Sequence, residues 1–159
     1  MSSKSAKGSD AMSSIAAEGS CLCRAISFRV LRNEAFDTFK SVSHCHCSMC
    51  RKFHGAAFST LGEILVSDLV FDEGAKESMS SYTADNASVR TFCKVCGSSI
   101  CFTSTYNRTD GTVELALGLI DTLHCPYGRA DCHIYVANKA EWYDIQKDAV
   151  LPECDQYRS

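Results

Sequence analysis

Apolar and polar residues alternate along most of this chain, and they rarely recur at the three-to-four-residue interval of an amphipathic helix. Ile26, Phe28 and Val30 alternate with Ser27 and Arg29, which predicts a half-buried strand. Residues 36–47 read as a second extended segment, and residues 55–61 resume the pattern. Leu69-Val70-Phe71 before Asp72-Glu73-Gly74 predicts a short strand closed by a turn. Residues 78–83, 88–92, 98–104, 112–117 and 133–136 read as further short strands. Helical turns are expected only near residues 50–54, 65–69 and 140–146. The expected class is mainly β.

The two ends differ from this pattern. Residues 1–18 are mostly Ser, Ala, Gly and Lys without apolar period, so a disordered tail is expected there. Residues 156–159 are expected as a short C-terminal tail, leaving residues 19–155 as one domain. At 159 residues and 45% hydrophobic composition the chain is long enough to bury a core. A net charge of -3 with scattered Lys and Arg argues against nucleic acid as a partner. No apolar run approaches the ~20 residues of a membrane span, and the N-terminus lacks a secretory core, so a soluble, cytoplasmic protein is expected.

Eleven cysteines in such a chain point to reduced thiols and metal ligation rather than a disulfide framework. Seven fall into three motifs: Cys21-x-Cys23, Cys45-x-Cys47-x-x-Cys50 and Cys93-x-x-Cys96. In an extended segment Cys45 and Cys47 share a face while His44 and His46 point away, so His46 is not expected as a ligand. A turn through Ser48 and Met49 brings Cys50 back to the same point, giving three thiolates for an ion that takes four ligands. Cys21 and Cys23 with Cys93 and Cys96 make a closed four-thiolate site, with Gly97 where a left-handed backbone is often needed. Spacing leaves a second partition open, in which the Cys45 group shares Cys93 and Cys96. Cys101 is a candidate fourth ligand; Cys125, Cys132 and Cys154 default to buried small hydrophobes.

Arg51 and Lys52 follow the third thiolate directly and are placed to offset its charge or to hold a substrate carboxylate, or else form a solvated cationic pair. His54 is a candidate proton shuttle, with a hydrogen-bonded surface histidine as the alternative. Asp121 and His133 are candidates for the site rim, and Trp142 is expected in the core.

Several motifs occur together in order: Gly19-x-Cys21-x-Cys23, Cys45-His46-Cys47-x-x-Cys50-Arg51-Lys52, Phe92-Cys93-x-x-Cys96-Gly97-Ser98, Gly118-x-Ile120-Asp121, His133-Ile134-Tyr135-Val136, Trp142 and Leu151-Pro152. In these the chain resembles the glutathione-dependent formaldehyde-activating enzyme (Gfa) and centromere protein V family. The resemblance implies a fold of coiled antiparallel sheets similar to type B methionine sulfoxide reductases. It also implies structural zinc on Cys21, Cys23, Cys93 and Cys96, and catalytic zinc on Cys45, Cys47 and Cys50. The name-giving members are described as S-(hydroxymethyl)glutathione synthases, formally carbon-sulfur lyases. They carry His and Met after the knuckle where this chain has Ser98-Ser99-Ile100.

A site with three thiolates and an open position suits a thiol better than water, because the net negative charge blunts the metal's Lewis acidity. The leading expectation is therefore a zinc-dependent carbon-sulfur lyase acting on a small thiol adduct, with two zinc ions per chain and a thiol such as glutathione as partner. The alternative is a non-catalytic zinc module that binds another protein.

Overall fold

The structure is a computed structural model, described here for residues 14–36, 38–125, 130–145 and 151–157. Its strands form two sheets. The smaller has four strands in the order β10 (Ile120–Leu123), β1 (Ile15–Ser20), β2 (Ser27–Leu31), β5 (Leu69–Phe71), with every pairing antiparallel. The larger runs β12 (Glu153–Cys154), β11 (Cys132–Ile134), β3 (Ser41–Cys45), β4 (Ser59–Leu65), β9 (Thr112–Ala116), β8 (Ser99–Thr103), β7 (Val89–Cys93), β6 (Met79–Thr83). It is antiparallel except at one edge, where β11 runs parallel to both β3 and β12. Among the described residues two short helices, α1 (Ser48–His54) and α2 (Thr105–Asp110), complete the regular structure along with a few 3-10 turns.

The alternation read at residues 26–30 is the pattern of β2, where Phe28 and Val30 are buried and Arg29 is exposed. These side chains meet Ile64, Ile100, Val113 and Leu115 of the large sheet in one cluster, so the main core lies between the two sheets. Burying a side chain such as Phe28 contributes about 1.5–3 kcal/mol. A second, smaller cluster gathers Cys45, Cys50, Leu61, Ala116, Cys132 and Ile134 and forms the floor beneath the α1 loop.

Three expectations about the ends and the core are corrected. Residues 15–18, expected in a disordered tail, are most of β1, an inner strand bonded to β10 and β2 with Ala16 and Ala17 fully buried. At the next position a side chain is excluded: a Cβ on Gly19 would lie 2.4 Å from the Leu119 carbonyl oxygen and 2.5 Å from the Phe28 ring. Residues 1–13 lie outside the described residues. The ordered chain also continues past residue 155, since Tyr135 N donates to the Gln156 carbonyl and the Tyr157 ring packs 6.3 Å from Tyr106. Trp142 is not in the core: it is 74% exposed and touches Tyr143 edge-on.

Smaller differences follow the same logic. The extended segment expected over residues 36–47 is regular only in β3, and that of residues 55–61 is displaced to β4, because α1 and its left-handed cap at Gly55 occupy the interval. The turn expected at residues 65–69 is a 3-10 turn at Val66–Asp68. Residues 140–145 hold a turn but no helix, and residue 146 lies outside the described residues. Among the described residues no helix is long and apolar enough to cross a membrane.

Candidate metal centres

Two tight turns build the first cysteine cluster. At the end of β1 the chain reverses through Arg24, left-handed at φ 62°, with Arg24 N donating to the Cys21 carbonyl and Cys21 N to the Ile26 carbonyl. At the end of β7 it reverses through Gly97 at φ 78°, with Gly97 N donating to the Cys93 carbonyl. Leu22 N donates to Ser98 Oγ at 3.1 Å and so locks one turn against the other. The four Sγ atoms of Cys21, Cys23, Cys93 and Cys96 lie within 4.8 Å of one another. Cys23 Sγ stands 3.6 Å from Cys21 Sγ and 3.8 Å from Cys93 Sγ. Four sulfurs held tetrahedrally at ~2.3 Å from zinc are about 3.8 Å apart, so the donor set and its spacing fit that ion. Hydrogen bonds from Ser98, side chain first and then backbone, pull the Cys96 thiol down to about 5.

The second cluster is local. Cys45 ends β3, Cys47 caps α1, and Cys50 lies on its inner face. Cys47 Sγ accepts from Cys50 N at 3.3 Å, so the thiolate takes the place of an oxygen N-cap. The three Sγ atoms again lie within 4.8 Å of one another, and among the described residues no further His, Cys, Asp or Glu ligand atom completes the group. Cys45 and Cys50 donate to Cys47, which holds the Cys47 thiol far below its ordinary value, while the contact with Cys47 drives Cys45 upward. Three thiols converging in one loop are a donor set that favours a soft cation.

Strand alternation separates these thiols from the neighbouring imidazoles. His44 and His46 lie on the other face of β3, packed with Phe58 and His133. His46 is fully buried, and burial first, then its cationic and histidine neighbours, lowers it to about 4. His133, expected at the rim, belongs to this imidazole layer, bonded to His46 and turned away from the thiols. Asp121 is also apart from the three-cysteine loop: its carboxylate accepts from Ser20 Oγ at 2.6 Å on the small sheet. Cys101 is not a ligand to either cluster; it packs in the main core, where burial pushes its thiol up to about 12.

The cations after Cys50 diverge. Arg51 Nε donates to the His46 carbonyl at 3.2 Å and braces the loop, while Lys52 is exposed beside a cleft. His54 is half-buried at the end of α1, its Nε2 3.3 Å from Ser99 Oγ; burial, then Arg90, lowers its pKa, and Cys47 opposes the shift. Tyr135 is a neighbour that sequence spacing did not single out. It adopts the left-handed region at φ 56°, strained for a non-glycine residue, and packs against the Cys45 cluster. Burial and then Cys45 and Cys47 raise its phenol. A buried arginine, Arg90, was likewise invisible to motif reading because it comes from β7, forty residues along the chain from Cys50.

Comparison with known proteins is consistent with this architecture. An uncharacterized lyase of Schizosaccharomyces pombe is 27% identical over 139 residues, covering 82% of this chain and 92% of that protein. A Halomonas elongata protein provisionally named a glutathione-dependent formaldehyde-activating enzyme is 28% identical over 134 residues, covering 81% of this chain and 80% of its own length. A Rhodobacter sphaeroides protein of known crystal structure shares the fold with a TM-score of 0.52 at 20% identity, covering 86% of this chain and 98% of that one. The profile of the glutathione-dependent formaldehyde-activating enzymes matches residues 16–138, which run from β1 past both cysteine clusters and β11. With that match extending over most of its length, the chain belongs to the glutathione-dependent formaldehyde-activating enzyme family.

Proposed function

We propose that this protein is a zinc-dependent carbon-sulfur lyase of the S-(hydroxymethyl)glutathione synthase type, acting on the adduct of a small thiol and a small carbonyl compound. The observation that carries the proposal is the contrast between the clusters: four thiols from two distant turns in one, three from a single loop in the other. In this reading Cys21, Cys23, Cys93 and Cys96 hold a structural ion, and Cys45, Cys47 and Cys50 hold a second. Zinc in the second cluster would supply a coordination position in which a thiol loses its proton near neutral pH.

The reaction balances without a redox partner. In the synthetic direction the thiol, having released its proton, gives a sulfur electron pair to the carbonyl carbon; the C–S bond forms as the C=O π bond breaks onto oxygen, which takes up an equivalent proton. The lyase direction reverses each change. His54 is assigned the transfer of that proton, because it is half-buried, bonded to a hydroxyl and held below its ordinary value by burial and then Arg90, which leaves the ring neutral and able to accept a proton. Arg51 fixes the loop through the His46 carbonyl and so positions the thiolates. Glutathione and formaldehyde, the pair in the family's name, are the first substrates to test.

The test uses cobalt in place of zinc. Adding glutathione should raise the sulfur-to-cobalt charge-transfer absorption of one site per chain, and formaldehyde added next should be consumed faster than in the protein-free mixture. A spectrum indifferent to every thiol would overturn the enzyme assignment and leave two structural sites.

A further inference from the structure

We propose that Arg90 is the anion-recognition residue of a substrate cleft beside the three-cysteine loop, and that it selects thiols carrying a carboxylate. The proposal rests on the thiol reading above and names the class of thiol.

The cleft, about 560 Å³, lies between α1 and the β6–β7 hairpin, with Lys52, Phe53, Tyr82, Asp85, Asn86 and Arg90 on its walls. One wall is thus the helix that carries Cys50, and the ligand loop and the cleft share their framework. Arg90 is only 4% exposed. A buried guanidinium is costly unless its charge is compensated, and arginines at such depth ordinarily meet a carboxylate. Among the described residues Arg90 has no ion pair. Its one side-chain hydrogen bond runs from Nη1 to Ser88 Oγ at 2.9 Å, and Ser88 Oγ donates onward to Asn86 Oδ1 at 2.7 Å.

The rings of Phe102 and Phe53 lie 4.9 Å and 6.0 Å from its Cζ. They offset part of the desolvation and hold the group in place, but they take none of its five N–H donors in the plane where a carboxylate binds. A fixed, desolvated fork with free donors facing a cleft is the arrangement that recognises a planar anion. Lys52 adds a second positive charge, so two cations face the single carboxylate of Asp85 across the opening. The cleft is therefore biased toward an anionic ligand, and its apolar lining, Met49, Phe53 and Tyr82, suits a short aliphatic stem.

Cobalt-loaded full-length protein, titrated with 3-mercaptopropionate and with its uncharged amide, tests the assignment. The wild type should bind the carboxylate at least about tenfold more tightly, and Arg90→Met, of similar length and apolar, should abolish that preference while leaving amide binding in place. A second readout does not depend on the metal: the Arg90 Nε–H resonance, identified by its loss in Arg90→Met, should shift when propionate is added. Equal binding of both thiols by the wild type would overturn the proposal. So would an Arg90 resonance unmoved by propionate, whether or not the variant folds. If propionate moves the resonance but neither thiol alters the cobalt spectrum, the anion site stands and the thiol reading fails.

Discussion

Nε2 of His46 and Nδ1 of His133 lie 2.9 Å apart, joining β3 to β11 through a hydrogen bond buried directly behind the thiol-bearing face. Because side chains alternate across a strand, the residue that projects His46 backward is the residue that separates Cys45 from Cys47. His46 is thus shared by the imidazole layer and the ligand loop, and its hydrogen bond to His133 ties that loop to β11. Among the described residues the buried Nδ1 of His46 has no hydrogen-bond partner, and burial favours the neutral form of this ring.

The pH dependence of stability follows from that layer. Burial, as the largest cause, holds His133 below its ordinary value, and the opposing Glu153 does not reverse the shift. A histidine lowered in the fold contributes its full stability above the unfolded value of ~6.5 and loses it as the pH falls below that, where the unfolded chain takes up the proton first. Metal-saturated wild type and His133→Asn should differ most in denaturation free energy at pH 7.5, and the gap should narrow by pH 5.5. A gap constant with pH in urea titrations would exclude a neutral buried His133.

The two cysteine clusters should respond differently to loss of one ligand. Cys93→Ser removes a thiolate from the set that ties β1 to β7, and the metal-derived share of folding energy goes with it. Its thermal transition should fall by tens of degrees or vanish, with zinc content reduced by one ion. Cys45→Ala should remain folded, losing on the order of 1–2 kcal/mol for the cavity. Circular dichroism melts with metal analysis check both; equal collapse of the two variants would refute the division of roles.

His54 and Ser99 should share an effect on the reaction and none on the fold. His54→Gln should lower kcat by about 10²-fold, the scale of a lost general acid-base group. Because burial and then Arg90 lower the His54 pKa, the acid limb of the wild-type rate profile should lie below the usual imidazole value. Ser99→Ala should shift that limb with a smaller fall in rate. Profiles of thiol-carbonyl adduct turnover from pH 5 to 8 are the measurement, and an unchanged limb in both variants would remove His54 from proton transfer.

Tyr135 offers a test of strain at the site. A non-glycine residue held left-handed costs about 1 kcal/mol or more, and here that backbone turns the ring against the Cys45 cluster. Tyr135→Gly should relieve the strain yet lose ring packing, whereas Tyr135→Phe keeps both terms. Tyr135→Phe should thus melt within a few degrees of wild type, and a change in its turnover alone would assign a role to the hydroxyl. Turnover equal to wild type in the phenylalanine variant and lost in the glycine variant would reduce Tyr135 to packing.

Local pattern along the chain is enough for the class of fold and for the grouping of seven cysteines into three motifs. Strand alternation at Ile26, Phe28 and Val30 and thiol spacing at Cys45, Cys47 and Cys50 are set by backbone geometry over a few residues, which no distant contact has to supply. The turn at Gly97 was legible for the same reason. Whatever depends on a partner far along the chain was decided only in three dimensions. Ile15–Ser20 is a strand because β2 and β10 pair with it on both sides, with Ala16 and Ala17 buried and no room for a side chain at Gly19, although its composition reads as a tail. Trp142 is exposed and Cys101 buried in the core because burial belongs to the packed sheets, not to the residue type. Arg90 reaches the cleft beside α1 only because β7 and its hairpin fold alongside that helix, a juxtaposition of residues forty apart that local periodicity does not carry.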